Sequence, residues 1–73
     1  MKTGDMVERD GAVYVVDDSE IRYVSSLEIL ERIRQRDPIL LLNKEEYSQL
    51  AVGIPVVEAD IAQLLRAKRE NNK

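Results

Sequence analysis

A chain of 73 residues without cysteine or histidine forms one small-cored domain, and it has neither disulfide staples, nor a Cys/His zinc site, nor a histidine general base. Its net charge of -3 is unevenly spread: residues 1–31 sum to -5, 32–36 to +3, 37–60 to -4 and 61–73 to +3. Two basic islands in an acidic field do not make the dominant basic face that tight duplex DNA binding calls for, and no apolar run approaches the roughly 20 residues of a membrane span.

Met1–Gly4 is a short polar lead that is expected to fray. Met6–Arg9, Asp10-Gly11 and Ala12–Val16 then read as a hairpin over 5–17, because Asp-Gly suits the positive φ that a type I′ turn needs at both central positions. The second strand, richer in β-branched and aromatic residues, is expected to be the inner one. After the acidic turn Asp17–Glu20, a third strand over 21–24 puts Ile21 and Tyr23 on one face. A helix starts at Ser25 or Ser26, with Ser25 and Glu28 at capping-box spacing, and carries the apolar stripe Leu27, Ile29, Leu30 and Ile33. It ends by Asp37, since Pro38 biases the residue before it away from helix.

Ile39–Leu42 is apolar on both strand faces and too short for a free helix, so it reads as the central strand, buried on both sides. Asn43 and Glu46 cap a second helix from Lys44 to about Val52, which Gly53 closes in the left-handed conformation. Ile54–Val57 is an extended connector containing Pro55. A last helix over 58–69 buries Val57, Ile61, Leu64 and Leu65, with Lys68 continuing the row, and 70–73 is expected to be disordered. The predicted fold is α+β, with a small antiparallel sheet (hairpin 5–17, strands 21–24 and 39–42) and two or three helices packed on one face.

No catalytic or ligand motif is present, and the chain is read as a non-enzyme without cofactor or metal. Asp17, Asp18 and Glu20 lack the spacing and turn glycine of a calcium loop, and Gly4, Gly11 and Gly53 are isolated rather than a phosphate cradle. Arg32, Arg34 and Arg36, and Arg66, Lys68 and Arg69, are candidate phosphate contacts, although cations in the last turns of helices also complement the dipole. The only aromatics are three tyrosines, and no RNP-type motif accompanies them. That leaves a protein-interaction module, with a monomer favoured and the oligomeric state open. Asp5, Glu8, Asp10 and Tyr14, in the acidic field over 1–31, are its expected partner contacts, since an acidic domain suits a protein that has a basic surface of its own. The opening ten residues lack the apolar run of a signal peptide, and the cysteine-free composition fits a cytoplasmic protein.

With its opening Met1-Lys2-Thr3-Gly4-Asp5-Met6-Val7-Glu8-Arg9 and its 73-residue length, the chain resembles the small RNA polymerase-binding transcription inhibitors of Xanthomonas phages. The resemblance implies binding to the amino-terminal part of the host β′ subunit near the RNA exit channel, inhibition of initiation, and antitermination. It carries no diagnostic motif and therefore transfers no binding residue. Gly4-Asp5-x-Val7 with Asp10-Gly11 also resembles the opening hairpin of KOW modules in ribosomal and elongation factors, but the later glycines of that pattern are missing. Direct nucleic-acid regulation is the alternative reading.

Overall fold

The computed structural model describes residues 2–71. Three strands form an antiparallel meander: β1 (Met6–Arg9), β2 (Ala12–Asp17) and β3 (Glu20–Tyr23). Both of its turns span two residues. Asp10 and Gly11 take φ of 54° and 83°, as the Asp-Gly reading requires, and Asp18 takes 60° at the second turn. Helix α1 (Leu27–Arg34) leads to β4 (Ile39–Leu41), α2 (Lys44–Ser48) to β5 (Ala51–Val52), and a 3-10 turn over Glu58–Asp60 to α3 (Ile61–Asn71).

The α+β class holds, but the sheet is mixed. Its order is β4-β1-β2-β3-β5, with β4 parallel to β1 and β5 parallel to β3. β2 is central, as its composition suggested. Ile39–Leu42 is not central: β4 is an edge strand, and Leu41 is 76% exposed. Its crossover from β3 through α1 delivers it outside β1, and an apolar run by itself does not encode strand order.

Alternation along the strands makes two apolar layers. Met6, Val15 and Val24 face α1 and α3, and pack with Ile33, Val56, Ile61 and Leu64. Val7, Val16 and Ile21 face the other way, with Leu42, Tyr47 and Leu50 over them. α1 and α3 thus share one face, as expected, and α2 alone lies on the other, because the segment after β4 returns across that face to reach β5.

Local chemistry explains most element ends. Ser26, not Ser25, caps α1 by accepting from the Ile29 N–H, and Gln35 ends the helix at positive φ. Asn43 and Glu46 form the expected capping box. α2 is shorter than expected because Ala51 and Val52 join the sheet, where ladder pairing with Glu20 and Ile21 outweighs one more helical turn. Gly53 accordingly makes no left-handed cap. It donates its N–H to Ile21 O and packs against the Glu20 carboxylate. Val57 stays exposed, since its N–H donates to Asp60 Oδ2 at the 3-10 turn instead of its side chain joining the apolar face. The expected loose end begins inside a helix: Glu70 and Asn71 belong to α3, and 72–73 lie outside the described residues.

Two substitutions separate core from edge. Ile33→Ala should cost about 2–5 kcal/mol, as a fully buried branched side chain leaves a cavity. Leu41→Asp should change stability by only about 0.5 kcal/mol. Urea denaturation of both variants checks this, and loss of folding in Leu41→Asp would return the strand to the interior. Gly11→Val should cost about 1–2 kcal/mol, a purely conformational penalty since a Cβ there meets nothing within 4 Å.

Candidate functional site

Alternation puts Arg22 on the core-facing side of β3, opposite Val15, where an apolar residue is the ordinary choice. The residue is only 7% exposed, so its charge must be met inside the protein. Nε donates to Ile54 O at 2.9 Å, Nη1 to Asp17 Oδ2 at 3.1 Å and Nη2 to Asp60 Oδ2 at 2.7 Å. Burial opposes the charged form, but the two carboxylates outweigh it and hold the guanidinium more firmly protonated than usual. The Asp60 carboxylate, which accepts the Val57 N–H and is paired with Arg22, is held below its ordinary range. The cluster fixes the 54–60 connector against the edge of the sheet.

That anchoring leaves a run of apolar side chains outward. Tyr23, Leu27, Val52, Ile54 and Val57 are exposed, Leu27 by 71% and Ile54 by 73%. They come from two adjoining backbone segments, since Val56 N–H donates to Tyr23 O at 2.9 Å and Arg32 pairs with Glu58 at 3.4 Å, and they flank the edge on both sides: Tyr23 and Val52 share the face of Ile21, whereas Leu27 starts α1 on the opposite face. Five of the seven large apolar side chains that the described residues expose lie around this β3–β5 edge. The edge is acidic: Glu20 lies against Gly53, Glu28 follows Leu27, and Glu58, Asp17 and Asp60 complete the group. Against these five carboxylates stand two guanidiniums, Arg22 and Arg32, both already paired. Among the described residues this leaves Glu20 and Glu28 without an ion pair, and exposed apolar side chains beside them suit a protein partner carrying Lys or Arg better than a phosphate.

The residues expected to contact a partner do not form a single patch. Asp5 and Tyr14 share the sheet face of Val7, Glu8 lies on the opposite face beside Val13 and Leu41, and Asp10 sits at the hairpin tip next to Arg9. Tyr14 is the hub of an aromatic cluster, edge-to-face with Tyr23 at 5.8 Å and Tyr47 at 6.2 Å. A hydrogen bond with Tyr47, with burial and the neighbouring phenols, raises the Tyr14 phenol above its usual range.

The two basic islands come together where α1 packs on α3, but much of their charge is used internally. Arg32 pairs with Glu58, and Arg34 Nε donates to Asp37 O. Lys68, 8% exposed, donates to Ile33 O and Arg34 O and pairs with Asp37. It therefore caps α1 rather than offering a phosphate contact. Arg36, Arg66 and Arg69 remain exposed. Of the acidic turn, Asp17 is engaged by Arg22, and among the described residues no group of three or more acidic side chains is placed to hold a metal. No helix among them is long and apolar enough to cross a membrane. Sequence reasoning missed Arg22, and the available signal was its alternation with the apolar Val24 just past β3. Leu27 and Ile54 gave no such signal.

No family model, curated protein or solved structure matches the chain.

The Arg22 cluster has a pH signature. Asp60, with its carboxyl held below the unfolded value of about 3.9, contributes its full stabilisation above that pH and loses it as pH falls through the folded value. Asp60→Asn should cost about 1–3 kcal/mol at neutral pH. The gap from the parent should narrow below about pH 4. Thermal melts across this range check it, and a gap independent of pH would remove the carboxylate's charge from the account.

Proposed function

We propose that this chain is a protein-binding module of the phage transcription-inhibitor type. In the host cytoplasm it occupies a surface of bacterial RNA polymerase at the amino-terminal part of β′ near the RNA exit channel, reducing initiation and promoting antitermination. The observation that supports the reading is the concentration of exposed apolar side chains about the β3–β5 edge, Tyr23, Leu27, Ile54 and Val57, with Glu20 and Glu28 nearby. A domain without a reactive group alters a large enzyme by covering a surface or holding a mobile element in one state, so its effect follows occupancy. An enzyme built to grip nucleic acid presents basic surfaces that an acidic-edged patch complements. The polymerase itself enters through the resemblance of the opening residues.

A second reading, a small nucleic-acid-binding regulator, rests on Arg36, Arg66 and Arg69, which remain exposed where α1 and α3 meet. It requires affinity that falls steeply with salt.

The expected outcome is co-elution with Xanthomonas RNA polymerase at micromolar concentration, with promoter- and terminator-dependent transcription changing in proportion to occupancy. Leu27→Ser combined with Ile54→Ser should weaken binding at least about tenfold with thermal stability retained, because both side chains are exposed. Glu20→Lys with Glu28→Lys should weaken it further at low salt than at high salt. Absence of co-elution, or unchanged transcription at saturation, overturns the polymerase assignment. Binding unaffected by the serine variants moves the contact elsewhere, with charge reversal at Asp5, Glu8 and Asp10 testing the first alternative. Specific, strongly salt-dependent binding to a nucleic acid, lost in Arg66→Ala with Arg69→Ala, would favour the second reading.

A further inference from the structure

The opposite edge of the sheet is also open. β4 pairs with β1 on one side, and no strand lies on its other side among the described residues. Leu42 N–H donates inward to Glu8 O at 2.9 Å, so the two-residue alternation of a strand turns Leu40 inward as well and points the N–H and C=O groups of Ile39 and Leu41 outward. Side chains follow the same alternation. Leu41 stands exposed on the α1 side, and Leu40 is partly exposed on the side of Val7. Beside Leu40 is a notch of about 220 Å³ lined by Asp5, Met6, Asp37, Pro38 and Leu40. Its polar walls are the two carboxylates. Asp5 accepts the Lys2 backbone N–H, and Asp37 is neutralised by Lys68, which leaves the notch net negative.

We propose that the open edge of β4 takes an extended strand from a protein partner, one that sets a lysine or arginine side chain in the notch between Asp5 and Asp37. Backbone pairing with Ile39 and Leu41 holds the strand, Leu40 and Leu41 receive apolar side chains on its two faces, and the notch selects the cation. A second copy of this chain is the wrong occupant, because its own edge strand, Ile39–Leu41, is apolar throughout and brings no cation to the notch. This edge is separate from the β3–β5 surface and does not depend on which protein that surface meets.

The test is an NMR titration of the ¹⁵N-labelled full chain with an end-blocked extended peptide that alternates valine and threonine around a central lysine. Shift changes confined to Ile39–Asn43 and the notch, with slowed exchange of the Ile39 and Leu41 amides, are expected. A peptide with glutamate in place of lysine should bind about tenfold more weakly. Leu41→Pro removes only an outward N–H, a substitution edge strands accept, so it should keep the β1–β2 signals and lose peptide binding. Asp5→Asn, which leaves β4 untouched, should shrink the preference for the lysine peptide over the glutamate peptide even if the proline variant does not fold. No shift at millimolar peptide, shifts elsewhere, equal affinity for the two peptides, or unchanged binding by a folded Leu41→Pro would overturn the proposal. So would sedimentation of the free chain as a dimer that protects the β4 amides.

Discussion

A charge on the core-facing side of a strand is the constraint around which this structure is arranged. An uncompensated buried guanidinium costs several kcal/mol, so a chain with Arg22 at that position folds only if acceptors arrive from elsewhere. They come from three places in the sequence: Asp17 at the end of β2, the Ile54 carbonyl in the connector and Asp60 at the entrance to α3. Each bond specifies where a segment must pass. A hydrocarbon in place of Arg22 would fill the same space without dictating where the connector runs, and the exposed positions of Ile54 and Val57 depend on that course.

The other end of α3 is held by a second cation. Lys68 reaches the last carbonyls of α1 and Asp37, while its Cβ occupies the space a Cβ on Gly4 would need, 2.8 Å away, and the φ of 100° at Gly4 separately disfavours any side chain. The helix is thus tied to the sheet at its entrance, where Arg22 holds Asp60, and to α1 through Lys68. The same bonds divide the basic charge: cations that a composition count would assign to a nucleic-acid surface serve inside the fold, and the acidic side chains near the β3–β5 edge are left in excess.

Much of the fold could be read along the chain because its signals are local. Asp10-Gly11, the β-branched richness of β2, the stripe of α1 from Ile29 to Ile33 and the Asn43–Glu46 box each act over a few residues, and each appears as read, whereas Leu27 drops out of the stripe. Strand order did not, because Ile39–Leu42 has the same hydrophobicity whether it is inside a sheet or at its margin. β5 was hidden in a stretch that reads as the end of a helix, and its two residues pair only because β3 is already there. The candidate surface was least legible: Leu27, Ile54 and Val57 look like core residues in a linear pattern, and only the placement of the connector exposes them.

The path of the chain between β3 and β5 has a consequence for how the protein reaches this state. From β3 it crosses one face as α1 to the far margin, then returns over the other face as α2, so that residues 24–50 form a belt around the meander. The belt's ladders join positions far apart in sequence, Met6 with Ile39 and Glu20 with Ala51, whereas the meander closes through two-residue turns. Loop-closure entropy is small for the second kind of contact and larger for the first. Winding the belt, rather than forming the hairpins, therefore carries the larger closure cost, and the native connectivity loads that cost onto the two outermost ladders.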